Sequence, residues 1–378
     1  MTRKLYDENS HLQQFEAVVL SCESEGEKYK VVLDCTAFFP EGGGQASDRG
    51  TLGGALVLDV QIIDEEIYHF TDKPLEVGSA VQGELDWQRR FDYMQQHSGE
   101  HIVSGIAHKL YGCENVGFHL GDDIVTLDFD KYLEREQILQ IEKQANEAVY
   151  KNVHFYTYYP DEEKLKTLCY RSKKEIDGAV RIVEIEDTDM CACCAPHVNV
   201  SGEIGAIKLL DSERLRGGVR IELKCGMRAL DDYNEKYRNT AAIGALLSVK
   251  QNETAAAVEK LNSLLAAEKQ QKTALKKRLA EAMIISAGKE TVFFAEDLDI
   301  KELQLLADGL HKKTGKLHAV FSPVSQGFAF AFCGDAAETD EVFANFKKSN
   351  QVRGGGRNGL VQGTVSATKE QIKLFFHI

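Results

Sequence analysis

We begin with the stretch Tyr93-Met-Gln-Gln-His-Ser-Gly-Glu-His-Ile-Val-Ser-Gly-Ile-Ala-His108, because the rest of the chain is interpreted through it. Its apolar residues, among them Met94 and Ile102, recur at helical intervals, which predicts an amphipathic helix. Four positions are slightly more than one helical turn, so His97 and His101 lie above one another on one face. Two imidazoles in this arrangement can hold one metal ion, although two unrelated polar positions on a helix would give the same pattern.

A second short motif, Cys193-Cys-Ala-Pro-His197, favours the metal interpretation. It supplies a cysteine and, four positions later, a histidine, and both residue types are common zinc ligands. Added to the helical pair His97 and His101, they complete the ligand set of a tetrahedral Zn2+ site. With four protein ligands the coordination shell would be closed, and the ion would be structural or would orient the substrate. Catalysis would then need an exchangeable ligand or a water positioned beside the ion.

The neighbouring cysteines offer alternative thiols. Cys191 and Cys194 flank Cys193, so three thiols within four positions compete for one ion. The spacing to His197 favours Cys193 as the ligand.

Glu100, directly before His101, is the candidate catalytic residue, acting as a general base. The alternative is a salt-bridged or solvent-facing glutamate. In the zincin peptidases the glutamate directly follows the first histidine, a position that Ser98 occupies here, so peptidase chemistry is disfavoured.

The composition is typical of a soluble protein with limited contact to nucleic acid. The net charge of −14 argues against a non-specific nucleic-acid binder, although local basic clusters such as Arg171-Ser-Lys-Lys174 exist. Nine cysteines, an odd number, fit a reducing compartment better than a disulfide framework. The sequence after Met1 lacks the apolar core of a signal peptide, and no apolar run is long enough to cross a bilayer. We therefore expect a cytoplasmic protein without membrane contact.

Hydrophobic patterning predicts an α+β chain of four regions. Short strand-like runs indicate a small β-barrel over residues 1–86, and mixed patterns indicate an α/β core with the zinc site over 87–230. A stretch of Ala, Leu, Glu, Lys and Gln without proline indicates a long helical or coiled-coil linker over 231–288. Strands and helices alternate again over 289–378, which predicts a C-terminal α/β domain.

Two glycine-rich segments are candidate binding loops. Thr36-Ala-Phe-Phe-Pro-Glu-Gly-Gly-Gly-Gln-Ala-Ser-Asp48 contains three glycines that let backbone amides approach a bound group, or that simply form a hairpin turn. The candidate substrate-binding residues in it are Thr36, Gly42, Gly43, Gly44, Gln45 and Asp48. Arg353-Gly-Gly-Gly-Arg357 reads as a basic loop that cradles phosphate or ribose, with a flexible loop between helix and strand as the alternative.

These motifs together resemble those of one protein family. His97-Ser-Gly-Glu-His101 with Cys193-Cys-Ala-Pro-His197 is similar to the paired zinc motifs of alanyl-tRNA synthetase editing domains and of the stand-alone AlaX-type editing proteins. The segment 36–48 resembles their N-terminal glycine-rich loop, and Arg353-Gly-Gly-Gly-Arg357 resembles a signature of the synthetase C-terminal domain. The second zinc motif of the family usually has glycines where this chain has Cys194 and Ala195. The resemblance covers essentially the whole chain and matches a long AlaX form, without an aminoacylation domain.

The resemblance implies a trans-editing enzyme that hydrolyses the ester of mischarged Ser-tRNA(Ala), and as a second substrate Gly-tRNA(Ala). A synthetase pocket for alanine cannot strongly reject glycine or serine, and a separate hydrolytic site that binds the serine hydroxyl corrects the error. Thr36 and Gln45 are the polar candidates for that hydroxyl, and loop stabilisation is their alternative role. The residues expected to contact tRNA are Arg216, Arg220, Gly354, Gly355, Gly356 and Arg357.

Three further expectations remain open from the sequence. A homodimer through the helical linker or the C-terminal domain is one. A non-catalytic tRNA-binding zinc protein and a zinc hydrolase of a small ester or amide are the alternative functions.

Overall fold

The computed structural model describes residues 1–172 and 178–378 and divides the chain into two compact units, Met1–Thr240 and Ala241–Ile378. Both units combine helices with sheets, so the α+β expectation is confirmed. Lys173 and Lys174, part of one predicted basic cluster, lie outside the described residues. In the described ranges, no helix has the length and apolar character required to cross a membrane.

The N-terminal part of the first unit is a closed barrel of six strands in the order β2-β3-β7-β6-β5-β8. Its elements are β1 (Arg3–Lys4), α1 (Leu5–Glu8), β2 (Gln14–Glu25), β3 (Lys28–Leu33), β4 (Cys35–Thr36), β5 (Gly50–Leu52), β6 (Ala55–Ile63), β7 (Glu66–Thr71) and β8 (Ala80–Leu85). Along β2 the buried residues Phe15, Ala17 and Val19 alternate with exposed ones, because successive side chains of a strand point to opposite faces.

The rest of the first unit is built around one long helix. Its elements are α2 (Trp87–Tyr111), β9 (Asn115–Leu120), β10 (Val125–Phe129), α3 (Arg135–Lys151), β11 (Phe155–Tyr158), α4 (Glu162–Thr167), β12 (Ile182–Ile185), β13 (Asp189–Ala192), a 3-10 turn (Ser201–Ile204), β14 (Ile207–Leu215) and β15 (Gly218–Cys225). Helix α5 (Gly226–Leu247) begins in the first unit and ends in the second. The strands form one antiparallel sheet in the order β14-β15-β10-β9 and another in the order β11-β12-β13.

Helix α2 is buried on all sides through most of its length. Asp86 begins the helix by accepting a hydrogen bond from the Arg89 amide, and Gly112 ends it in the left-handed conformation. Inside it, Gly99 lets β15 approach closely, since a Cβ there would lie 2.3 Å from the Cys225 Sγ. The helix therefore carries its polar residues into the interior of the unit, where they need partners.

One such partner is a buried ion pair between α2 and the glycine-rich loop. The Arg90 Nε lies 3.0 Å from the Asp48 carboxylate, and the two side chains are 0% and 1% exposed. The guanidinium also donates to the carbonyls of Ser10 and Ala37. The pair fixes the loop against the helix.

Replacing Arg90 by Met is expected to lower the free energy of unfolding by about 3–5 kcal/mol, because Asp48 is left as a buried, unpaired charge. Urea denaturation followed by circular dichroism measures the change. The matched control is Arg3→Met, whose partner Glu8 is on the surface, and a much smaller loss is expected there because solvent screens that ion pair. Equal losses in the two variants would contradict the structural role of Asp48 and Arg90.

The second unit carries a five-stranded sheet in the order β16-β17-β18-β20-β19. Its elements are a 3-10 turn (Gln251–Glu253), α6 (Thr254–Ser286), β16 (Val292–Phe294), α7 (Ile300–Thr314), β17 (His318–Val324), β18 (Gly327–Cys333), α8 (Ala336–Ser349), β19 (Gln351–Arg357), β20 (Leu360–Ser366) and α9 (Lys369–Phe375). One face of the sheet packs on α7, and the other buries a cluster of phenylalanines that includes Phe321, Phe332 and Phe346.

The prediction of a loop at Arg353-Gly-Gly-Gly-Arg357 is wrong. The segment belongs to the edge strand β19, paired with β20, and is not a loop. A Cβ at Gly354 would lie 2.2 Å from the Gln362 carbonyl oxygen, and one at Gly356 would lie 1.9 Å from that of Leu360. These glycines are required because the neighbouring strand approaches so closely.

Candidate metal centre

Helix α2 and the segment after β13 bring the four predicted metal ligands together. His97 and His101 project from α2, and Cys193 and His197 follow β13. One donor atom of each of the four residues lies within 4.8 Å of the others. The Cys193 Sγ lies 3.6 Å from the His97 Nε2 and 3.4 Å from the His197 Nε2.

Each histidine of this cluster has a second contact at its Nδ1. The Nδ1 of His97 donates to the Gln45 Oε1 over 3.0 Å, and that of His101 lies 3.3 Å from the Asp189 carboxylate. The Nδ1 of His197 lies 3.0 Å from the Ser98 hydroxyl. Such contacts orient metal-binding histidines and leave the Nε2 atoms to coordinate.

The donor set fits a zinc ion. Three imidazoles and one thiolate are borderline to soft ligands, which zinc prefers, and all four side chains converge in the interior of the unit. Cys191 forms a different group with His101 and Asp189, while Cys194 belongs to neither group of possible ligands among the described residues. The structure therefore favours Cys193 over its two neighbours.

Two residues from earlier in the chain, Arg181 and Ser10, hold the segment that carries Cys193 and His197. The Arg181 Nη1 donates to the carbonyls of Cys193 and Ala195, over 3.1 Å and 2.9 Å. The Ser10 hydroxyl donates to the His197 carbonyl over 2.7 Å. Both ligands are thus fixed through their backbone as well as through their side chains.

The charges of the metal-free cluster favour a thiolate at Cys193. Burial alone would raise the pKa of this thiol, but the neighbouring His97 and the hydrogen bonds to His101 and His197 outweigh burial and bring the pKa well below its ordinary value. Burial lowers the pKa of His197 to about 3, so its imidazole is neutral and available as a ligand. Burial also raises the pKa of the neighbouring Cys194 thiol, to about 11.

In metal-free protein at neutral pH we expect a thiolate at Cys193 and a thiol at Cys194. Ultraviolet thiolate absorbance should therefore fall in Cys193→Ala and stay unchanged in Cys194→Ala. Because the pKa of Cys193 is lowered, its signal should persist below pH about 8.5, the ordinary cysteine pKa, and vanish only on further acidification. A signal at neutral pH that is lost with Cys194 would contradict this assignment.

The triglycine segment lies beside the metal cluster. A Cβ on Gly43 would lie 3.9 Å from the His97 Cε1 and 3.5 Å from the Cys194 Sγ. Gly44 has a φ of +84° and leaves no room for a side chain, since a Cβ would meet the Phe118 ring at 2.8 Å. The backbone at Gly42 pairs with Gln45 through two 3.0 Å hydrogen bonds.

Gln45 links this segment to the cluster. Its side chain is 1% exposed, and its Oε1 accepts the hydrogen bond from His97. Its Nε2 is buried without a hydrogen-bond partner in the described parts of the chain. A buried donor without a partner is costly, and a bound molecule that offers an acceptor would relieve that cost.

Thr36 and Asp48 act within the protein instead. The Thr36 hydroxyl lies 2.8 Å from the His69 Nε2 and accepts from the Phe38 amide, all inside the barrel. The Asp48 carboxylate accepts from the Phe39 amide and pairs with Arg90, as described above. Both side chains therefore have partners within the protein, which is the loop-stabilising role named above as the alternative for Thr36.

Glu100 is buried next to the cluster, so the alternative of a solvent-facing glutamate is wrong. Its Oε1 accepts hydrogen bonds from the Ser104 hydroxyl over 2.7 Å and from the Asn115 amide over 2.6 Å. Its Oε2 lies 3.7 Å from the His101 Nε2. A carboxylate is thus held in place within reach of the metal donors.

The residues expected to contact tRNA are on the surface of both units. Arg216 is exposed in the turn between β14 and β15, and Arg220 on β15 forms a bidentate pair with Asp128, both contacts being 2.7 Å. The residues Gly354, Gly355, Gly356 and Arg357 are exposed on β19.

The sequence did not predict three residues that contact the metal ligands or Glu100, namely Ser98, Asp189 and Asn115. Ser98 was within the quoted histidine motif, and its position next to His97 was the available signal. Asp189 and Asn115 reach the cluster only through the packing of β13 and β9 on α2, which no local pattern reveals.

Comparisons with known proteins find matches to tRNA synthetase families and to alanyl-tRNA editing proteins. Residues 180–222 match the family model of the threonyl and alanyl tRNA synthetase second additional domain, and residues 7–89 match that of class II (A) tRNA synthetases. Alanyl-tRNA editing protein Aarsd1-B of Xenopus laevis is 32% identical, over 78% of this chain and 72% of its own length. Alanyl-tRNA editing protein AlaX-L of Pyrococcus horikoshii is 27% identical over 98% of this chain and 96% of its own length. Aarsd1 of Bos taurus is 32% identical over 68% of this chain, which spans 62% of the bovine protein, less than two thirds.

Proposed function

Since the chain belongs to the family of alanyl-tRNA editing proteins, we propose that it is a cytoplasmic trans-editing hydrolase for Ser-tRNA(Ala). Gly-tRNA(Ala) is its second substrate in this proposal, and zinc is its cofactor. The observation that carries the proposal is the cluster of His97, His101, Cys193 and His197 beside a glycine-rich loop, whose Gln45 Nε2 is buried and finds no partner in the described parts of the chain. Cys193, the cysteine of this cluster, is not in a disulfide, so its sulfur is available as a ligand.

The zinc ion would be held by the Nε2 atoms of the three histidines and by the Cys193 thiolate. When bound, it would supply positive charge that orients the aminoacyl group, and it would polarise the ester only if one of the four protein donors exchanged.

The reaction is the hydrolysis of an ester. Water adds to the carbonyl carbon, the bond from that carbon to the ribose oxygen breaks, and free amino acid and tRNA(Ala) are released. Glu100, held by Ser104 and Asn115, takes a proton from the water and returns it to the departing ribose oxygen. The burial of the site excludes bulk water that would compete for these contacts.

Gln45 is the residue we assign to recognition of serine. Its Nε2 lacks a partner among the described residues, and the hydroxyl of a seryl group provides an acceptor. Alanine and glycine lack that hydroxyl and leave the donor unpaired, so a site of this type favours serine over both. Serine is therefore the preferred amino acid, and the triglycine backbone at Gly43 approaches the ribose.

The tRNA itself would be contacted through limited basic surfaces, as the net charge of −14 requires. Arg216 is the contact of the first unit, whereas Arg220 is engaged with Asp128 and contributes less. In the second unit, the tRNA contact is the strand with Gly354, Gly355, Gly356 and Arg357. A homodimer would form through α6 or through the rest of the second unit.

Deacylation assays test the proposal. Release of serine, glycine and alanine from their tRNA(Ala) esters is measured for the wild-type protein and for His97→Ala. We expect rapid release of serine, slower release of glycine, protection of alanine, and loss of all release in the variant. Binding of tRNA without release in the wild type would instead support a tRNA-binding zinc protein. Cleavage of small esters with charged tRNA left intact would support a small-molecule hydrolase.

A further inference from the structure

Asp189 is a buried carboxylate at the Nδ1 end of His101. The His101 Nδ1 lies 3.3 Å from the Asp189 Oδ2, and both side chains are 3% exposed. The other two histidines contact neutral groups at this atom, Gln45 for His97 and Ser98 for His197. His101 is therefore the ligand of this cluster whose orientation depends on a charged neighbour.

Asp189 is itself fixed by Arg171. The Arg171 Nε lies 2.8 Å from the Asp189 Oδ1, and the Nη2 lies 2.7 Å from the Oδ2. The backbone of Arg171 also pairs with β13, donating to the Met190 carbonyl over 2.8 Å and accepting from the Ala192 amide over 2.9 Å. A planar, bidentate contact of this kind sets the direction of the carboxylate as well as its position.

The close approach of Asp189 to α2 depends on Gly105. A Cβ at position 105 would lie 2.6 Å from the Asp189 Cβ and 2.7 Å from the Thr188 carbonyl oxygen. A side chain there would push β13 away from the helix. The contact between Asp189 and His101 is thus built into the packing of both elements.

Two roles are open to this carboxylate. Asp189, His101 and Cys191 have donor atoms close enough to bind a second cation. The Arg171 guanidinium, however, already contacts both oxygens of Asp189, and a second cation would have to displace that positive charge. The ion pair favours a positioning role over a ligand role.

We infer that the Arg171–Asp189 pair positions His101 as a zinc ligand. The inference rests on the proposed zinc site, and it makes Arg171 and Asp189 positioning residues for the proposed reaction. A carboxylate at the second nitrogen of a ligating histidine fixes its tautomer and strengthens it as a donor, and loss of such a group costs about 10–100-fold in metal affinity.

The test compares Asp189→Asn and Arg171→Lys with the exposed control Asp187→Asn in the full-length protein. Zinc affinity is measured by competition with a chromophoric chelator, zinc per chain by atomic absorption, and ligand geometry from the visible spectrum of the Co2+-substituted protein. We expect zinc affinity to fall about 10–100-fold in Asp189→Asn and by a smaller factor in Arg171→Lys, with an altered cobalt spectrum in both. Asp187→Asn should match the wild type.

Unchanged zinc affinity and cobalt spectrum in Asp189→Asn would overturn the inference while leaving the zinc site intact. A second zinc per wild-type chain, lost in Asp189→Asn, would also overturn it, because Asp189 would then be a ligand. A wild-type protein that binds no zinc would overturn the inference and the metal part of the proposed function together. Should Asp189→Asn fail to fold, as judged by circular dichroism, Arg171→Lys decides by the same three measurements.

Discussion

Replacing Cys193 by alanine is expected to abolish zinc binding and deacylation together, whereas the same change at Cys194 leaves both close to wild type. The Cys193 Sγ lies 3.4 Å from the His197 Nε2 and 3.6 Å from the His97 Nε2 and supplies the negative charge of the cluster. Loss of an outer partner of a metal ligand already costs about 10–100-fold in affinity, so loss of the ligand itself should cost more than about 100-fold.

The matched variants are Cys191→Ala and Cys194→Ala, because the three thiols are neighbours in sequence but not in role. Cys194 lies against the triglycine segment, 3.5 Å from where a Cβ of Gly43 would be. Cys191 is buried on β13. Zinc per chain and the rate of serine release from Ser-tRNA(Ala) are measured for all three variants. Retention of zinc in Cys193→Ala with loss in either neighbour would assign the thiolate ligand differently.

The part of the site that sequence could predict is the part encoded by local spacing. His97 and His101 are one turn apart on α2, and the helix forms as the apolar pattern requires. Cys193 and His197 are also separated by four positions, and the prediction that these four residues meet agrees with the described geometry. Local geometry and ligand chemistry together specified the cluster.

The partners of these ligands depend on contacts between distant segments. Asp189 meets His101 across 88 positions of sequence, and Asn115 meets Glu100 only because β9 passes the helix. Thr36 shows the converse, since a polar residue next to a glycine-rich loop was expected to face a substrate. It contacts His69 instead, 33 positions away, because the barrel interior supplies the partner.

The glycines of Arg353-Gly-Gly-Gly-Arg357 misled the sequence analysis for a physical reason. Glycine usually indicates a loop, because it adopts conformations that other residues avoid. On β19 it serves another need, the close approach of the β20 backbone, which is visible at Gly354 and Gly356. Sequence patterns do not separate these two uses of glycine, because the distance to the neighbouring strand is a property of the folded sheet.

Replacing Glu100 by Gln is expected to slow deacylation about 10²–10⁴-fold while zinc per chain and stability stay near wild type. Glutamine has nearly the same shape, and its carbonyl oxygen can still accept hydrogen bonds from Ser104 and Asn115. What it cannot do at neutral pH is accept a proton from water. A glutamate that only supports the helix would give a different result, namely a change in stability without a specific loss of rate.

Two further variants separate these roles. Ser104→Ala removes one hydrogen bond to the Glu100 Oε1 and leaves the carboxylate, so a far smaller loss of rate is expected than in Glu100→Gln. Glu100→Asp keeps the charge but shortens the side chain by one methylene, and it should restore part of the rate lost in Glu100→Gln. Single-turnover release of serine at neutral pH is measured for the wild type and for the three variants. A Glu100→Gln protein that retains zinc and deacylates at the wild-type rate would remove Glu100 from the reaction, and the carboxylate would then serve only to hold Asn115 against α2.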